Sequence, residues 1–432
     1  MNTIYWLGND LRIDDNPALL AACKSDSLDL VYCVDPRWFE TGRYKLPTLG
    51  IHRWSFLRQA LQDFDRSVQS MGQRLLVAYE APERFLPRLA ERLAANRLVC
   101  SRRFSSESNQ MLAEIKVVAP ELLIEQYEGY TLLSEAQLPF DLGNLPETYS
   151  KFRRQVESVA INLPMNAVTT MPRQSTTGSG LVSESLACDG SDFEGGQFKG
   201  GEAAANEHLV TYLNSDLPLT YKQTRNEIDG WENSSKLSPW LNSGSLSVRR
   251  VVQRLNEFEA EKGSNESTHW LFVELLWREY FQWLGLQLGP DLFEFGGVLK
   301  RQPLTDFSPE RFAMWCKGNT PYPLVNACMR ELLATGYLSN RGRQIVASCL
   351  INELKLDWRY GAAWFQQQLI DYDTAVNWGN WQYIAGVGAD PRGGRHFNIL
   401  KQARIYDGDG RYQRHWNGNE SPLPEDSRNS NL

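Results

Sequence analysis

The chain has 432 residues, of which 42% are hydrophobic and 22% charged, so it is long enough for two or three domains with buried cores. Its net charge of −7 excludes a protein coated in basic surface, although a local basic groove can still bind phosphates. The seven cysteines are scattered, and the five histidines lack the spacing of metal ligands, so neither a disulfide framework nor a metal site is indicated.

The first third of the chain alternates short apolar runs with amphipathic patterns. The apolar runs predict strands at residues 4–7, 28–34, 75–79, 98–101 and 122–125. The stretches between them predict helices at residues 17–24, 51–69, 83–95 and 107–118. This alternation is typical of a Rossmann-like parallel sheet wrapped by helices, so we predict an α/β domain over residues 1–135. Neither a GxGxxG fingerprint nor a GxxxxGK[ST] loop is present, so no standard nucleotide site is indicated there.

The middle and end of the chain have different patterns. Residues 136–201 are predicted as an interdomain linker, because the stretch from Thr169 to Gly201 is rich in Gly, Ser and Thr and has no periodicity. Residues 202–416 are helical in pattern and predict an all-α domain. Its clearest helices are expected at residues 245–262, 267–288, 323–335, 341–354 and 361–370. The polar residues 417–432 are expected to form a frayed tail.

Residues 269–283, HWLFVELLWREYFQW, place a carboxylate on an aromatic face. At helical spacing Glu274 shares one face with Trp277 and Phe281. A carboxylate is costly to bury without a partner and often has a perturbed pKa and a function. Two interpretations stay open from this pattern: a functional Glu274, or a Glu274 that pairs with Arg278 or faces solvent at the helix edge.

Three further segments combine polar groups with helix boundaries. In residues 340–344, NRGRQ, the side chains of Asn340 and Gln344 are one turn apart, and the local pattern favours Asn340 as a helix cap. Residues 370–391 mix carboxylates and amides with aromatic rings, which is typical of a loop around a polar, ring-shaped ligand, or of a corner capped by Asp371. The hydroxyls of residues 220–226 and 234–238 are suited to helix capping or to phosphate binding.

Together, these segments resemble the photolyase and cryptochrome family, and most closely its DASH group, which acts on single-stranded DNA. The resemblance extends from residue 6 to residue 407. It begins at WLGNDLR and ends with FNILKQARIYD, and its most specific blocks are KLSPWL, ELLWREYF, LSNRGRQIVAS, LDWRYGA and NWGNWQYIAGVGADPR. Several such blocks in one order are far more specific than any one of them.

The resemblance implies FAD as cofactor and assigns roles by motif. The residues implied in FAD binding are Tyr221, Ser234, Ser235, Leu237, Ser238, Arg278, Arg343, Asp371, Asp373 and Asn377. Among them, Arg343 and Asp371 are expected to form an ion pair beside the flavin ring, and Asn377 is expected to face its N5 atom. The residues that match the relay carrying electrons from the surface to the flavin are Trp381, Trp358 and Trp315.

The resemblance also implies a DNA substrate that carries a pyrimidine dimer. Glu274, Asn340 and Gln344 match positions beside the flipped dimer, which Trp277 and Tyr383 are expected to flank by stacking. Arg225 and Arg341 match residues that meet backbone phosphates. The segment before NRGRQ has no histidine, which disfavours six-four repair. An antenna chromophore such as methenyltetrahydrofolate stays an open expectation, with Glu107 as its contact.

The function expected from these observations is a photo-lyase reaction: blue-light repair of cyclobutane pyrimidine dimers, preferentially in single-stranded DNA, by electron transfer from excited reduced FAD. The alternative is an FAD-binding photoreceptor that signals without repair. The N-terminus does not resemble a signal peptide, and no stretch reaches the roughly 18 apolar residues that a membrane span needs. We therefore expect a cytoplasmic monomer that binds DNA and neither a membrane nor a metal.

Overall fold

The N-terminal part of the chain forms a five-stranded sheet in the computed structural model, which describes residues 1–175, 197–389 and 393–420. The strands are β1 Asn2–Trp6, β2 Ser27–Cys33, β3 Leu75–Ala78, β4 Arg97–Ser101 and β5 Leu123–Tyr127. They run parallel in the order β3-β2-β1-β4-β5. Each strand end lies within two residues of its prediction, so the predicted parallel sheet is confirmed.

Helices cover both faces of this sheet. Those that connect the strands are α1 Pro17–Ala22, α2 Ile51–Gln69, α3 Pro82–Leu93 and α4 Ser106–Val118. Side chains of alternate residues point to opposite faces of a strand, and Tyr5 and Leu30 accordingly belong to one apolar cluster while Ile4 and Val31 belong to another. Strands buried on both faces need continuous apolar runs, which is the pattern that revealed them in the sequence.

The rest of the described chain is helical. Its helices are α5 Tyr149–Val156, α6 Glu202–Asn214, α7 Tyr221–Thr224, α8 Ser238–Ser243, α9 Val248–Lys262, α10 Glu266–Leu288, α11 Pro309–Cys316, α12 Pro323–Thr335, α13 Asn340–Ser348, α14 Trp358–Gln368, α15 Thr374–Ala385, α16 Ile399–Tyr406 and α17 Arg411–His415. The predicted α/β plus all-α architecture is therefore confirmed. None of the helices in the described ranges is both long and apolar enough to cross a membrane.

The helix predicted at residues 245–262 begins three residues later, at Val248, and two further helix predictions differ from the structure at their ends. The helix predicted at residues 341–354 is interrupted, because α13 ends at Ser348 and a π-helical turn, Cys349–Glu353, follows it. The helix predicted at residues 361–370 begins earlier, at Trp358, where the Asp357 side chain caps the first turn. In both places the apolar periodicity was visible, but the change in hydrogen-bond pattern and the cap were not.

The predicted linker over residues 136–201 contains packed structure in its first part. Helix α5 buries Tyr149, Phe152 and Val156 in the same apolar cluster as residues of α10. Most of the Gly-, Ser- and Thr-rich stretch, residues 176–196, lies outside the described residues. Within the predicted linker, helix α5 therefore belongs to the helical core.

The segment after β1 ties the sheet to the helices. Arg12, the last residue of WLGNDLR, is buried and donates a 2.9 Å hydrogen bond to the carbonyl oxygen of Gly244, which follows α8. Glu202, the first residue of α6, accepts hydrogen bonds from the backbone N–H groups of Ile13 and Asp14 at 2.7 and 3.0 Å. Burial raises the pKa of Glu202 to about 7. These contacts join the helical part to the segment that follows β1, the central strand of the sheet.

Candidate cofactor and substrate site

A cavity of about 570 Å³ opens between α10, α13, α15 and the segment that precedes α8, which is a usual volume for a ligand site. All four polar segments singled out in the sequence contribute to its wall. The predicted site residues that line it are Tyr221, Arg225, Ser234, Ser235, Leu237, Ser238, Glu274, Trp277, Arg278, Asn340, Arg343, Gln344, Asp371, Asp373, Asn377, Trp381 and Tyr383. The fold therefore brings together residues that are up to 162 positions apart in the sequence, from Tyr221 to Tyr383.

An ion pair lies on the inner wall of this cavity. Arg343 Nη2 donates to Asp371 Oδ2 at 2.8 Å, and the Ser238 hydroxyl donates to the same oxygen at 2.6 Å. The ion pair predicted for Arg343 and Asp371 is therefore present, with the Asp371 side chain only 2% exposed. The second carboxylate oxygen, Asp371 Oδ1, is buried and has no hydrogen-bond partner among the described residues. It is an acceptor that a bound ligand can satisfy.

Neighbouring polar groups are held in place by the backbone. Asp373 caps the first turn of α15, so it takes the capping role that one interpretation gave to Asp371, and it also accepts the Tyr130 hydroxyl at 2.6 Å. Arg278 donates to the Tyr130 carbonyl oxygen at 2.8 Å, while its Nε is buried without a partner in the described ranges. Asn377 donates to a carbonyl oxygen of α14 at 3.0 Å. Preset donors and acceptors with unused hydrogen-bonding capacity fit a polar ring system such as a flavin.

Glu274 lies further along the cavity wall and has a partner. Its carboxylate forms an ion pair with Arg225, which directly follows α7, and accepts the Trp270 indole N–H at 3.0 Å. Surrounding protein raises the pKa of Glu274, and the Arg225 guanidinium offsets part of that rise. The pairing with Arg278 that the sequence left open does not occur. Arg225 was expected to meet DNA phosphates, yet here it holds the carboxylate that was expected to meet the lesion.

The aromatic pair at this end of the cavity is not a parallel clamp. The Trp277 and Tyr383 rings contact each other edge to face, with centroids 6.1 Å apart and planes at 83°. Tyr149 stacks on Trp277 at 3.6 Å, so one indole face is already covered. A flat ligand therefore cannot be sandwiched between Trp277 and Tyr383 in this arrangement, although each ring still offers surface to the cavity.

The start of α13 separates residues that the sequence grouped. Asn340 and Gln344 line the cavity, whereas Arg341 is absent from its wall. Arg341 instead donates to Gln344 at 2.9 Å and to the Asn226 side chain at 3.1 Å. The cap of the helix is Ser339, whose hydroxyl accepts the Gly342 N–H, so the expectation that Asn340 is the cap was wrong.

The three tryptophans predicted as an electron relay are all buried. Trp381 is 2% exposed, Trp358 1% and Trp315 0%. Trp381 contacts Trp315 with ring centroids 6.2 Å apart, and Trp358 contacts Trp378 at 5.8 Å. The expectation that these three indoles reach from the cofactor to the surface was therefore wrong at the surface end, since none of them is accessible.

A second cavity, of about 450 Å³, lies where the carboxyl ends of the parallel strands meet α14 and α15. Ligands of open parallel sheets bind at this edge. Glu107, which the resemblance implies as an antenna contact, lines it, and burial raises the pKa of its carboxyl. Asp35 and Glu114 also line it. The cavity wall therefore contains more acidic side chains than the local sequence around Glu107 indicates. Asp373 lines both cavities, which are therefore adjacent.

Some residues of the first cavity were not predicted. Lys236 is buried in its wall, and burial lowers the pKa of its amine to about 8. Asn242 donates to the backbone carbonyl of Asp371, and the Tyr337 ring lies 5.3 Å from the Arg343 guanidinium. Lys236 could have been found, because it lies inside the KLSPWL block, whereas Tyr337 belongs to the site only through tertiary packing.

Comparisons with known proteins agree with this architecture. Residues 3–172 match the family model described as DNA photolyase, and residues 270–429 match the one described as the FAD binding domain of DNA photolyase. The chain is 46% identical to a cryptochrome DASH of Idiomarina loihiensis, over 98% of this chain and 94% of the relative. It is 39% identical to a cryptochrome DASH of Synechocystis, over 98% of this chain and 88% of the relative.

Solved structures give the same result. A Synechocystis cryptochrome structure superposes with a TM-score of 0.90 at 39% identity, covering 96% of this chain and 88% of that one. An archaeal photolyase from Sulfolobus tokodaii, solved with two FAD molecules, superposes with a TM-score of 0.78 at 26% identity, covering 96% of this chain and 90% of that one.

Proposed function

Because the chain belongs to the photolyase and cryptochrome family, we propose that it repairs cyclobutane pyrimidine dimers with blue light, chiefly in single-stranded DNA. It contains the family's FAD-binding domain. Reduced FAD, once excited by light, supplies the electron that splits the dimer. The residues of this chain hold the cofactor, receive the flipped dimer and stabilise the charge that develops on it.

The observation that carries this proposal is that one cavity contains both kinds of residue. Its inner wall has the Arg343–Asp371 ion pair and an acceptor oxygen without a partner, which suit the flavin ring. Its wall also has Glu274, Trp277 and Tyr383, a carboxyl group beside aromatic rings, which suits an extruded pyrimidine dimer. A cofactor and a substrate that share one cavity can exchange an electron directly.

Glu274 and Asn340 act on the dimer in this proposal. The base carbonyl oxygens gain negative charge when the dimer accepts an electron, so hydrogen-bond donors aimed at them favour ring splitting. The Asn340 amide is a donor at any pH. Burial raises the pKa of Glu274, which favours the protonated form that can also donate. When Arg225 turns to a phosphate, Glu274 loses the cation that stabilises its charged form.

The preference for single strands follows from the cost of extrusion. Flipping a base out of a duplex costs a few kcal/mol, and the cost is lowest where the strand is unpaired. Stacking on an aromatic ring contributes about 1–3 kcal/mol per base. Here one face of Trp277 is already covered, and the net charge of −7 leaves little non-specific attraction to phosphates. The energy available to open a duplex is therefore small.

We also propose that the second cavity holds an antenna chromophore of the folate class. Its wall combines Glu107 and Glu114 with Arg37 and Arg53, groups that can pair with the amines and carboxylates of a folate. The cavity adjoins the first one at Asp373, which is a short path for excitation energy. Fluorescence excitation spectra after reconstitution with methenyltetrahydrofolate, in wild type and Glu107→Ala, test this assignment.

The decisive experiment is light-driven repair of one dimer placed in matched single-stranded and duplex oligonucleotides. The purified protein should contain non-covalent FAD, and its reduced form should repair the single strand faster. Glu274→Ala should lower the repair yield. The matched control is Glu266→Ala, which changes the same residue type on α10 at an exposed position and should leave repair unchanged.

Each other outcome contradicts a different part of the proposal. A protein that neither contains nor binds FAD would remove its basis. Equal rates on both substrates would refute the strand preference. FAD-loaded, reduced protein that repairs neither substrate would replace the repair function by the photoreceptor alternative, and equal loss in Glu274→Ala and Glu266→Ala would show that the cavity carboxyl has no specific role.

A further inference from the structure

The three tryptophans expected to relay electrons to the flavin are buried, so the residue that receives electrons from solution is not yet assigned. Trp381, Trp358 and Trp315 are each at most 2% exposed, so a reductant in solution cannot touch any of them. An electron hole formed on Trp381 can persist only if it moves to a group that solvent reaches. The ring contacts beyond the three indoles show where such a group lies.

Two chains of aromatic contacts lead outward. From Trp315, the rings of Phe312 and Tyr360 follow, with centroid distances of 6.2 and 5.7 Å. From Trp358, the contacts pass through Trp378 at 5.8 Å to Tyr44 at a further 5.8 Å. These two chains meet, because Tyr44 and Tyr360 are in contact with centroids 5.2 Å apart.

Tyr44 and Tyr360 both border the surface, and Tyr360 is the one that lies beside an exposed ring. Tyr360 is only partly buried, and it stacks at 3.8 Å on Phe307, whose side chain is 38% exposed. Phenylalanine is far harder to oxidise than tyrosine. Phe312, which lies between Trp315 and Tyr360, and Phe307, which covers Tyr360, are therefore not oxidised themselves.

Tyr44 is the competing candidate, and its surroundings disfavour it. A tyrosine that loses an electron must also lose its phenolic proton. The Tyr44 hydroxyl is buried and donates to no acceptor in the described part of the chain, and burial raises its pKa. The Arg359 guanidinium, which lowers that pKa in part, offers no acceptor for the proton.

We propose that Tyr360 is the terminal electron donor of this protein and the point at which an external reductant enters; the proposal rests on the light-driven electron transfer of the proposed function. One electron passes from the Tyr360 phenol to the oxidised relay tryptophan, and the phenolic proton passes to water. The neutral tyrosyl radical then takes one electron and one proton from a soluble thiol. Tyr360 acts through the tryptophans, and the cofactor itself need not contact it.

Electron paramagnetic resonance of illuminated, FAD-loaded protein tests this assignment. In wild type, blue light should produce a tyrosyl spectrum that changes when the protein contains ring-deuterated tyrosine, and an added thiol should shorten its lifetime. Tyr360→Phe keeps the ring and its stacking on Phe307, so it should remove this spectrum while the melting temperature and FAD content stay at their wild-type values. Tyr44→Phe is the matched control and should retain the spectrum.

The outcomes separate this inference from the function on which it rests. A tyrosyl spectrum that survives in Tyr360→Phe, or that disappears in Tyr44→Phe, overturns the assignment. A wild-type protein that forms only tryptophan radicals overturns it as well. Trp381→Phe reports on the relay itself: if light still reduces the cofactor in that variant, the relay is wrong at its first step, whatever the result at Tyr360.

Discussion

Replacing Gly361 by alanine should destabilise the helical part of the protein and displace the Trp381 ring. Gly361 lies in α14, where an added Cβ would stand 2.2, 2.6 and 2.9 Å from three carbon atoms of the Trp381 six-membered ring. Carbon atoms in ordinary contact are about 3.5–4.0 Å apart. The indole would have to retreat by more than about 1 Å, and it is buried against Trp315 and Phe365.

The expected magnitude is the balance of two effects. Overpacking a buried site typically costs about 1–3 kcal/mol. Alanine also gains about 1 kcal/mol over glycine inside a helix. Because the overlap involves a rigid ring between buried neighbours, we expect a cost near the upper end of the overpacking range. The net loss should therefore be about 1–2 kcal/mol, which lowers the apparent melting temperature by a few degrees.

Thermal unfolding followed by circular dichroism measures this effect. The control is Gly143→Ala, since nothing lies within 4 Å of a Cβ at Gly143 and its backbone needs no left-handed conformation. The same two variants should differ in the rate at which blue light reduces the bound flavin, because only Gly361→Ala moves Trp381. If Gly361→Ala melts with or above the control, the tight packing of the indole against α14 is refuted.

Three further predictions concern charged groups. The folded-state pKa of Glu202 is raised to about 7, so its contribution to stability is largest at low pH and is lost between about pH 4.5 and 7. In urea unfolding, Glu202→Gln should remove up to roughly 3 kcal/mol of this pH dependence. An unchanged slope of unfolding free energy against pH would contradict the prediction. Arg225→Ala removes the cation beside Glu274 and should raise the pKa of that carboxyl further. A pH titration of the infrared band of the Glu274 carboxyl measures this change. An unchanged titration midpoint would contradict the ion pair. Asp371→Ala leaves the Arg343 charge unpaired and should lower the free energy of unfolding by about 3 kcal/mol. This is the low end for a broken buried pair, because Arg343 keeps 25% of its side chain exposed. A loss below about 1 kcal/mol in urea unfolding would show that solvent screens this charge.

The sequence was most informative where local patterns decide the structure. Apolar runs located the five strands within two residues, because a strand buried on both faces must be apolar along its length. The ion pair of Arg343 and Asp371 was also predictable, through motifs that recur as a set. The linker prediction was less accurate, since α5 has too few residues for its amphipathic pattern to be distinguished from a loop.

Only the tertiary structure decided which of these groups are partners. Glu274 pairs with Arg225, which is 49 residues away at the end of α7, rather than with Arg278 on its own helix. The relay tryptophans are buried because helices from distant parts of the chain cover them, so their exposure could not be inferred from spacing. Spacing along one element determines which residues share a face, whereas the partner of that face depends on the packing of separate elements, and for this protein that packing pairs Glu274 with Arg225 and buries Trp381, Trp358 and Trp315.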